Sequence, residues 1–290
     1  MKKKSLLLLV MLMFAVAALT GCGGSDPVVI EGEEDAIGDT LIIGMSLDNA
    51  PFGWVQAEET EDTYPLADGS GYVGGYDIQI AKIIAEEMDV KIEVVQYERG
   101  ELMEALEEGK IDLMISGVNP LVTRADRVDF TDSYYDNDYV VIVMKDGKYA
   151  NATAIDDFGG ARLTAQNGSY IYDELLPQMA GAQVMDPLTF HADMRVALSN
   201  DVIDGYVTTL PEGMSATRLH PEYAMIAFGE EGNFETDEEY STVAIGITKG
   251  RDALVDAVNI VLHGISDEKR TVMMDRAIYA EPEEADDEEE

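Results

Sequence analysis

Cysteine is nearly absent from this 290-residue chain: Cys22 stands alone. A single thiol excludes an internal disulfide and any thiolate metal cluster. Histidine is almost as scarce. His191, His220 and His263 fall in unrelated segments, with no His-x-x-x-His pair, so no zinc site is expected, and no Ser/His/Asp order points to a hydrolase. Positive charge is also in short supply, with 19 Lys and Arg against 58 Asp and Glu and a net charge of −39. Phosphate binding needs clustered cations, so nucleic acid is excluded as a partner. The excess of acid does not identify a cationic ligand, because it suits the solubility of a surface protein equally well. Asp129, Asp132, Asp136 and Asp138 lack the spacing and glycine of a calcium loop and read as a solvated face. Gly69-Ser70-Gly71-Tyr72-Val73-Gly74 fits GxGxxG, but no core strand precedes it, so it reads as a hairpin or loop. No metal, cofactor or catalytic set is expected. Long apolar runs are rare as well, and residues 6–19 form the only one.

That run follows Lys2, Lys3 and Lys4, the arrangement of a secretory signal peptide, and it is too short to serve comfortably as a membrane span. It ends in Leu19-Thr20-Gly21-Cys22, which resembles the bacterial lipobox. The alternative is an ordinary secretory signal with an incidental cysteine. With the lipobox, residues 1–21 are a removed leader and Cys22 carries acyl chains such as palmitate, enough for stable anchoring. Residues 22–38, small and acidic, then form a flexible tether. Three of the basic residues precede Cys22 and none of the acids does, so the processed chain is more acidic still. Eight acids crowd residues 281–290, an acidic tail expected to be disordered. The protein is thus expected outside the cytoplasm, anchored to the cell membrane by its N-terminal lipid.

Between tether and tail the chain alternates strands and helices. Residues 41–45 read as a buried strand opening into polar Ser46-Leu47-Asp48-Asn49. A helix over 76–88 carries Ile80, Ile83, Ile84 and Met88 on one stripe. Strands at 90–97, 111–116 and 139–144 and a helix at 101–108 complete a β-α-β-α-β unit. A second such unit has strands at 161–165, 183–185, 203–207, 224–228 and 241–248, with helices at 170–179 and 194–199. Helices at 252–265 and 267–279 close the chain. The expected fold is α/β, with two α/β lobes joined by a two-strand hinge and a ligand cleft between them. Lobe one takes 39–143 plus 243–280 and lobe two takes 144–242, with crossings near Val143 and Val243.

The most informative stretch is Gly109-Lys110-Ile111-Asp112-Leu113-Met114-Ile115-Ser116-Gly117-Val118-Asn119-Pro120, followed by Arg124 and by Val128-Asp129-Phe130-Thr131-Asp132-Ser133-Tyr134-Tyr135. A buried strand here delivers backbone N–H groups, an amide and a guanidinium to one loop. A guanidinium grips a carboxylate in bidentate fashion. On spacing alone, Arg124 is equally a surface partner of Asp126 or Asp129.

This stretch resembles the family 3 extracellular solute-binding proteins, the amino-acid-binding components of ABC importers. Gly75-Tyr76-Asp77-Ile78-Gln79-Ile80-Ala81, Ala50-Pro51-Phe52, Gln166-Asn167-Gly168-Ser169 and Asp204-Gly205-Tyr206-Val207 match further motifs of that family in order, so the resemblance runs from about residue 41 to 279. It implies that Arg124 binds a ligand α-carboxylate, that the Gly117 carbonyl takes the α-ammonium, and that Asn119 helps to hold the ligand. It assigns Ser169 as a donor from lobe two. Phe52 and Trp54 are similar to the aromatic wall, with Asp48, Asn49 and Tyr97 as further side-chain contacts. The chain departs from the family where Leu121 and Thr123 replace its Thr and Glu. Thr209 stands where the family has the Asp that pairs with the ammonium. Glu212 is the candidate to replace that Asp from a shifted loop.

The resemblance further implies a monomer that captures a small-molecule ligand, most simply an amino acid, by hinge closure and delivers it to an ABC permease. A ligand-sensing module for a separate signalling partner is one alternative. A dehydratase-like enzyme on the same fold, with Glu212 as its acid, is another.

Overall fold

The structure, a computed structural model, describes residues 38–229 and 231–282. The leader, Cys22, all of the tether but Gly38, and the tail beyond 282 lie outside the described residues.

The chain opens with β1 (Thr40–Met45), whose Leu41 and Ile43 have no exposure, as expected of a strand covered on both faces. An antiparallel insertion follows: β2 (Asp48–Asn49), β3 (Gly53–Gln56), β4 (Tyr64–Pro65) and β5 (Tyr72–Gly74), in the order β2-β3-β5-β4. The GxGxxG stretch is therefore a turn and a strand. Next come α1 (Tyr76–Glu87), β6 (Lys91–Gln96), α2 (Leu102–Glu107), β7 (Leu113–Val118), the single turn α3 (Val122–Ala125) and β8 (Val128–Asp136). Gly75 caps α1 with φ of 122°, and a Cβ there would lie 2.2 Å from the Phe52 carbonyl oxygen. Only glycine lets the helix start this close to the insertion.

The second lobe comprises β9 (Tyr139–Met144), β10 (Arg162–Thr164), β11 (Gln183–Val184), α4 (His191–Ser199), β12 (Gly205–Thr209), α5 (Leu210–Leu219) and β13 (Tyr223–Ala227). The chain then returns through α6 (Glu238–Ser241) to β14 (Thr242–Thr248), α7 (Asp252–His263) and α8 (Asp267–Ala280) of lobe one. Lobe one is built on the sheet β6-β1-β7-β14-β8 and lobe two on β11-β10-β12-β9-β13. In each sheet four strands run one way and one runs against them: β14 between β7 and β8 in lobe one, and β9 between β12 and β13 in lobe two. Leu41, Ile80, Leu113 and Ile245 pack the core of lobe one, and Val141, Phe158, Leu163 and Val207 that of lobe two.

Three expectations are corrected. The strand 139–144 pairs with β12 and β13, so it belongs to lobe two and the first crossing lies at Asn137–Asp138, not at Val143. The segment 170–179 is no α-helix. It is a π turn over Ile171–Leu175 and a 3-10 turn over Leu176–Gln178, because Pro177 lacks the N–H a continuous helix needs. Glu281, placed in the disordered tail, docks on α5: Ser215 Oγ donates to its carboxylate and Arg218 Nη2 to its carbonyl at 3.0 Å.

The crossings are tied to each other. Asn137 N donates to Ser241 O at 2.6 Å, and Tyr139 Oη donates to Tyr240 O at 2.7 Å. Asn119 Nδ2 donates to both Tyr240 O and Thr242 O at 2.8 Å, clipping the second crossing to the end of β7.

Candidate functional site

The carboxyl ends of the strands in both sheets face one cleft of about 420 Å³, the position where open α/β sheets take their ligands. Lobe one contributes the loops after β1, β6 and β7. Lobe two contributes the loops after β10, β11 and β12. Of the residues singled out in the sequence, Asp48, Phe52, Gly117, Asn119, Arg124, Ser169 and Thr209 line this space, as does Asn49.

Arg124 sits at the end of α3, whose single turn follows the extended Leu121. Its Nη1 donates to Asn119 O at 3.0 Å, the one hydrogen bond of its guanidinium among the described residues. It forms no ion pair there, since Asp129 is taken by Lys249 at 2.7 Å. Burial, and then the nearby charge of Arg99, push its pKa down from the ordinary guanidinium value. Gly117 has φ of 55°, and a Cβ there would come within 3.0 Å of Asn49 Nδ2. The floor beneath it is a buried network: Gly117 N donates to Tyr134 Oη at 3.1 Å, and Tyr134 Oη donates to Asp77 Oδ1 at 2.7 Å. Burial raises the pKa of Asp77 to about 7. Phe52 is 3% exposed and meets Tyr76 and Tyr135 edge-on, closing the base of the cleft.

Other expected contacts take different roles. Both amide hydrogens of Asn119 are committed to the carbonyls of Tyr240 and Thr242 at the second crossing. The Ser169 hydroxyl donates to Gln166 O at 2.7 Å and accepts from Tyr172 N, so it holds its own turn. Trp54 is packed in the core of lobe one with its Nε1 on Gln56 Oε1 at 2.9 Å, and it does not line the cleft. Tyr97 packs against the cluster of Leu102 and Leu106 beside the cleft. Glu212 lies in the first turn of α5, not in a loop, and is 2% exposed. Its Oε1 accepts from Arg195 Nη1 at 2.8 Å, which turns it away from the ligand space. The acid required by the dehydratase-like alternative is therefore not on the cleft wall.

Several cleft residues carry no sequence motif. Glu98 and Arg99 follow β6, and Arg99 Nη2 donates to Asp48 Oδ1 at 2.7 Å. Burial raises the pKa of Asp48, but Arg99 and the Ser46 hydroxyl outweigh it, so the net shift is downward. His191, half-buried, bonds to Thr208 Oγ1 at 3.3 Å, and desolvation lowers its pKa. Tyr170 of lobe two stacks on Tyr240 of the second crossing, with centroids 3.9 Å apart. The rule that ligands sit beyond strand ends points to the loop after β6, but it does not single out Arg99.

Two α/β lobes crossed twice by the chain, with strand ends converging on a cleft, define a two-lobed ligand-binding protein of the type II periplasmic-binding kind. Residues 41–275 match the bacterial extracellular solute-binding proteins, family 3, and the chain belongs to that family. It is 30% identical over 167 residues to the arginine-binding extracellular protein ArtP of Bacillus subtilis, a match covering 58% of this chain and 57% of that protein. It is 26% identical to the ABC transporter arginine-binding protein 1 of Escherichia coli, covering 78% of this chain and 92% of that one. A crystal structure of an amino acid ABC transporter substrate-binding protein from Streptococcus pneumoniae, bound to L-arginine, shares the fold. Its TM-score is 0.67 over 83% of this chain and 94% of that chain, at 24% identity. Among the described residues no helix is long and apolar enough to cross a membrane.

Proposed function

We propose that this protein is a lipid-anchored extracytoplasmic receptor that captures an amino acid and, acting as a monomer, delivers it to an ABC importer. The carrying observation is Arg124, a guanidinium with a single internal hydrogen bond on the wall of a cleft of about 420 Å³. Its remaining N–H groups match the fork of an α-carboxylate. Ligand docks on lobe one against Arg124, Gly117 and Phe52. Closure about the crossings at 137–138 and 241–242 then brings up the 166–170 turn and Thr209. Closing removes water from the ion pair and strengthens it. The names of the relatives, which bind arginine, glutamine or histidine, support the class of cargo.

Titration calorimetry against the common L-amino acids tests this. One amino acid should bind tightly, and Arg124→Ala should weaken it by about 30-fold or more, the cost of stranding one partner of a desolvated charge pair. Undiminished binding by the variant would remove Arg124 from the site.

A further inference from the structure

Two guanidinium groups, not one, line the cleft on the lobe-one wall: Arg124 and Arg99. They lie close enough that the charge of Arg99 depresses the pKa of Arg124. Arg99 remains 40% exposed and spends one N–H on Asp48, its one hydrogen bond among the described residues. The salt bridge steers the side chain without exhausting its donors, since a guanidinium carries five. Asp48 Oδ1 already accepts from Ser46 and Arg99.

The opposite wall offers no carboxylate among its described residues. It presents Ser169, Thr208, Thr209 and His191, and His191 is held toward its neutral form. Glu212, three residues beyond Thr209, is bound to Arg195 and does not line the cleft. Glu98 lines the cleft on the lobe-one side next to Arg99 and is exposed. A ligand with a cationic side chain would bring a third positive charge beside Arg99 and Arg124, in addition to the ammonium that Asp48 Oδ2 can accept. A ligand with a second carboxylate meets the unused donors of Arg99 without that repulsion. An acidic amino acid carries two carboxylates and one ammonium, and two guanidinium groups and Asp48 are its inverse.

Resting on the amino-acid capture proposed above, we infer that Arg99 determines specificity and takes the side-chain carboxylate of an acidic amino acid, while Arg124 takes the α-carboxylate and Asp48 the ammonium.

The test is calorimetric titration of the wild type and of Arg99→Gln with L-glutamate, L-aspartate, L-glutamine, L-asparagine and L-arginine. The wild type should prefer an acid to its amide by about tenfold or more, the worth of one charge-assisted hydrogen bond. Arg99→Gln should erase that preference. Because the wild-type ratio is itself decisive, the inference stays testable even if the variant folds poorly. A wild-type preference for arginine or an amide, or an acid preference that survives Arg99→Gln, overturns the acidic-ligand inference and leaves amino-acid capture standing. Silence toward all five with another common L-amino acid bound overturns the acidic-ligand inference alone, and silence toward all the common L-amino acids overturns both.

Discussion

Asp77 shows how a residue beneath the cleft carries a consequence at a distance. Its carboxyl is 2% exposed and receives the Tyr134 hydroxyl, which in turn holds the backbone of Gly117. Burial lifts its pKa from 3.8 to about 7, so the folded protein keeps a proton over an interval in which the unfolded chain has released it. By linkage, this group's stabilisation is full below about pH 4, declines as pH rises toward 7 and is lost above it. Asn at this position still accepts from Tyr134 but does not titrate. The stability difference between wild type and Asp77→Asn, measured by urea unfolding across that range, should therefore move against the wild type as pH rises. The slope is worth about 1.4 kcal/mol per pKa unit. A difference that stays flat with pH would show that Asp77 titrates normally. The motif containing Asp77 was legible in the sequence, but its burial was not: a first-turn acid normally faces solvent, and here Tyr134 of β8 and the loop carrying Phe52 meet over it. Arg99 was hidden for a similar reason. A turn of Glu98-Arg99-Gly100 looks like any exposed loop until the loops after β1 and β6 are brought side by side.

At the scale of elements, what could be read was what is local. The apolar runs of β1, β7 and β9 and the stripe of α1 are written in adjacent residues. β8 escaped notice because its pattern, Val128-Asp129-Phe130-Thr131-Asp132-Ser133-Tyr134-Tyr135-Asp136, is mostly polar and is held by pairing with β14, far along the chain. α5 was masked by Pro211 and Gly213, which disfavour a helix when counted locally. The first crossing was misplaced because an apolar strand such as β9 reads alike in either sheet. The clip at the second crossing, Asn119 bridging Tyr240 and Thr242, depends on a contact across more than a hundred residues. Its two bonds are worth about 1–3 kcal/mol together. Asn119→Ala should accordingly lower the unfolding midpoint and loosen the second crossing. Small-angle scattering should then show a larger radius of gyration for the ligand-free variant than for the wild type, with the two converging when ligand is saturating. Equal ligand-free radii and equal midpoints would remove Asn119 from the hinge.

For the whole molecule, the anchoring proposed above has to hold at a membrane a chain whose full-length net charge is −39. Anionic headgroups repel it, so electrostatic adsorption works against attachment. No helix among the described residues is long and apolar enough to span a bilayer, and the anchoring proposed above rests on Cys22 in its lipobox-like context. A single acyl chain gives only marginal binding, at about 0.8 kcal/mol per buried methylene, whereas two or more make it stable and insensitive to salt. The wild type should therefore remain with the membrane fraction through a high-salt wash and leave it in detergent. Cys22→Ser should be recovered in the soluble extracytoplasmic fraction, with its ligand affinity intact, because the cleft is built entirely from residues beyond the tether. The pair of outcomes separates the two attachments that matter. Loss of anchoring with retained binding assigns Cys22 to localisation alone. A Cys22→Ser protein that still pellets with the membrane would mean that some surface of the folded body, or an uncleaved leader, does the holding.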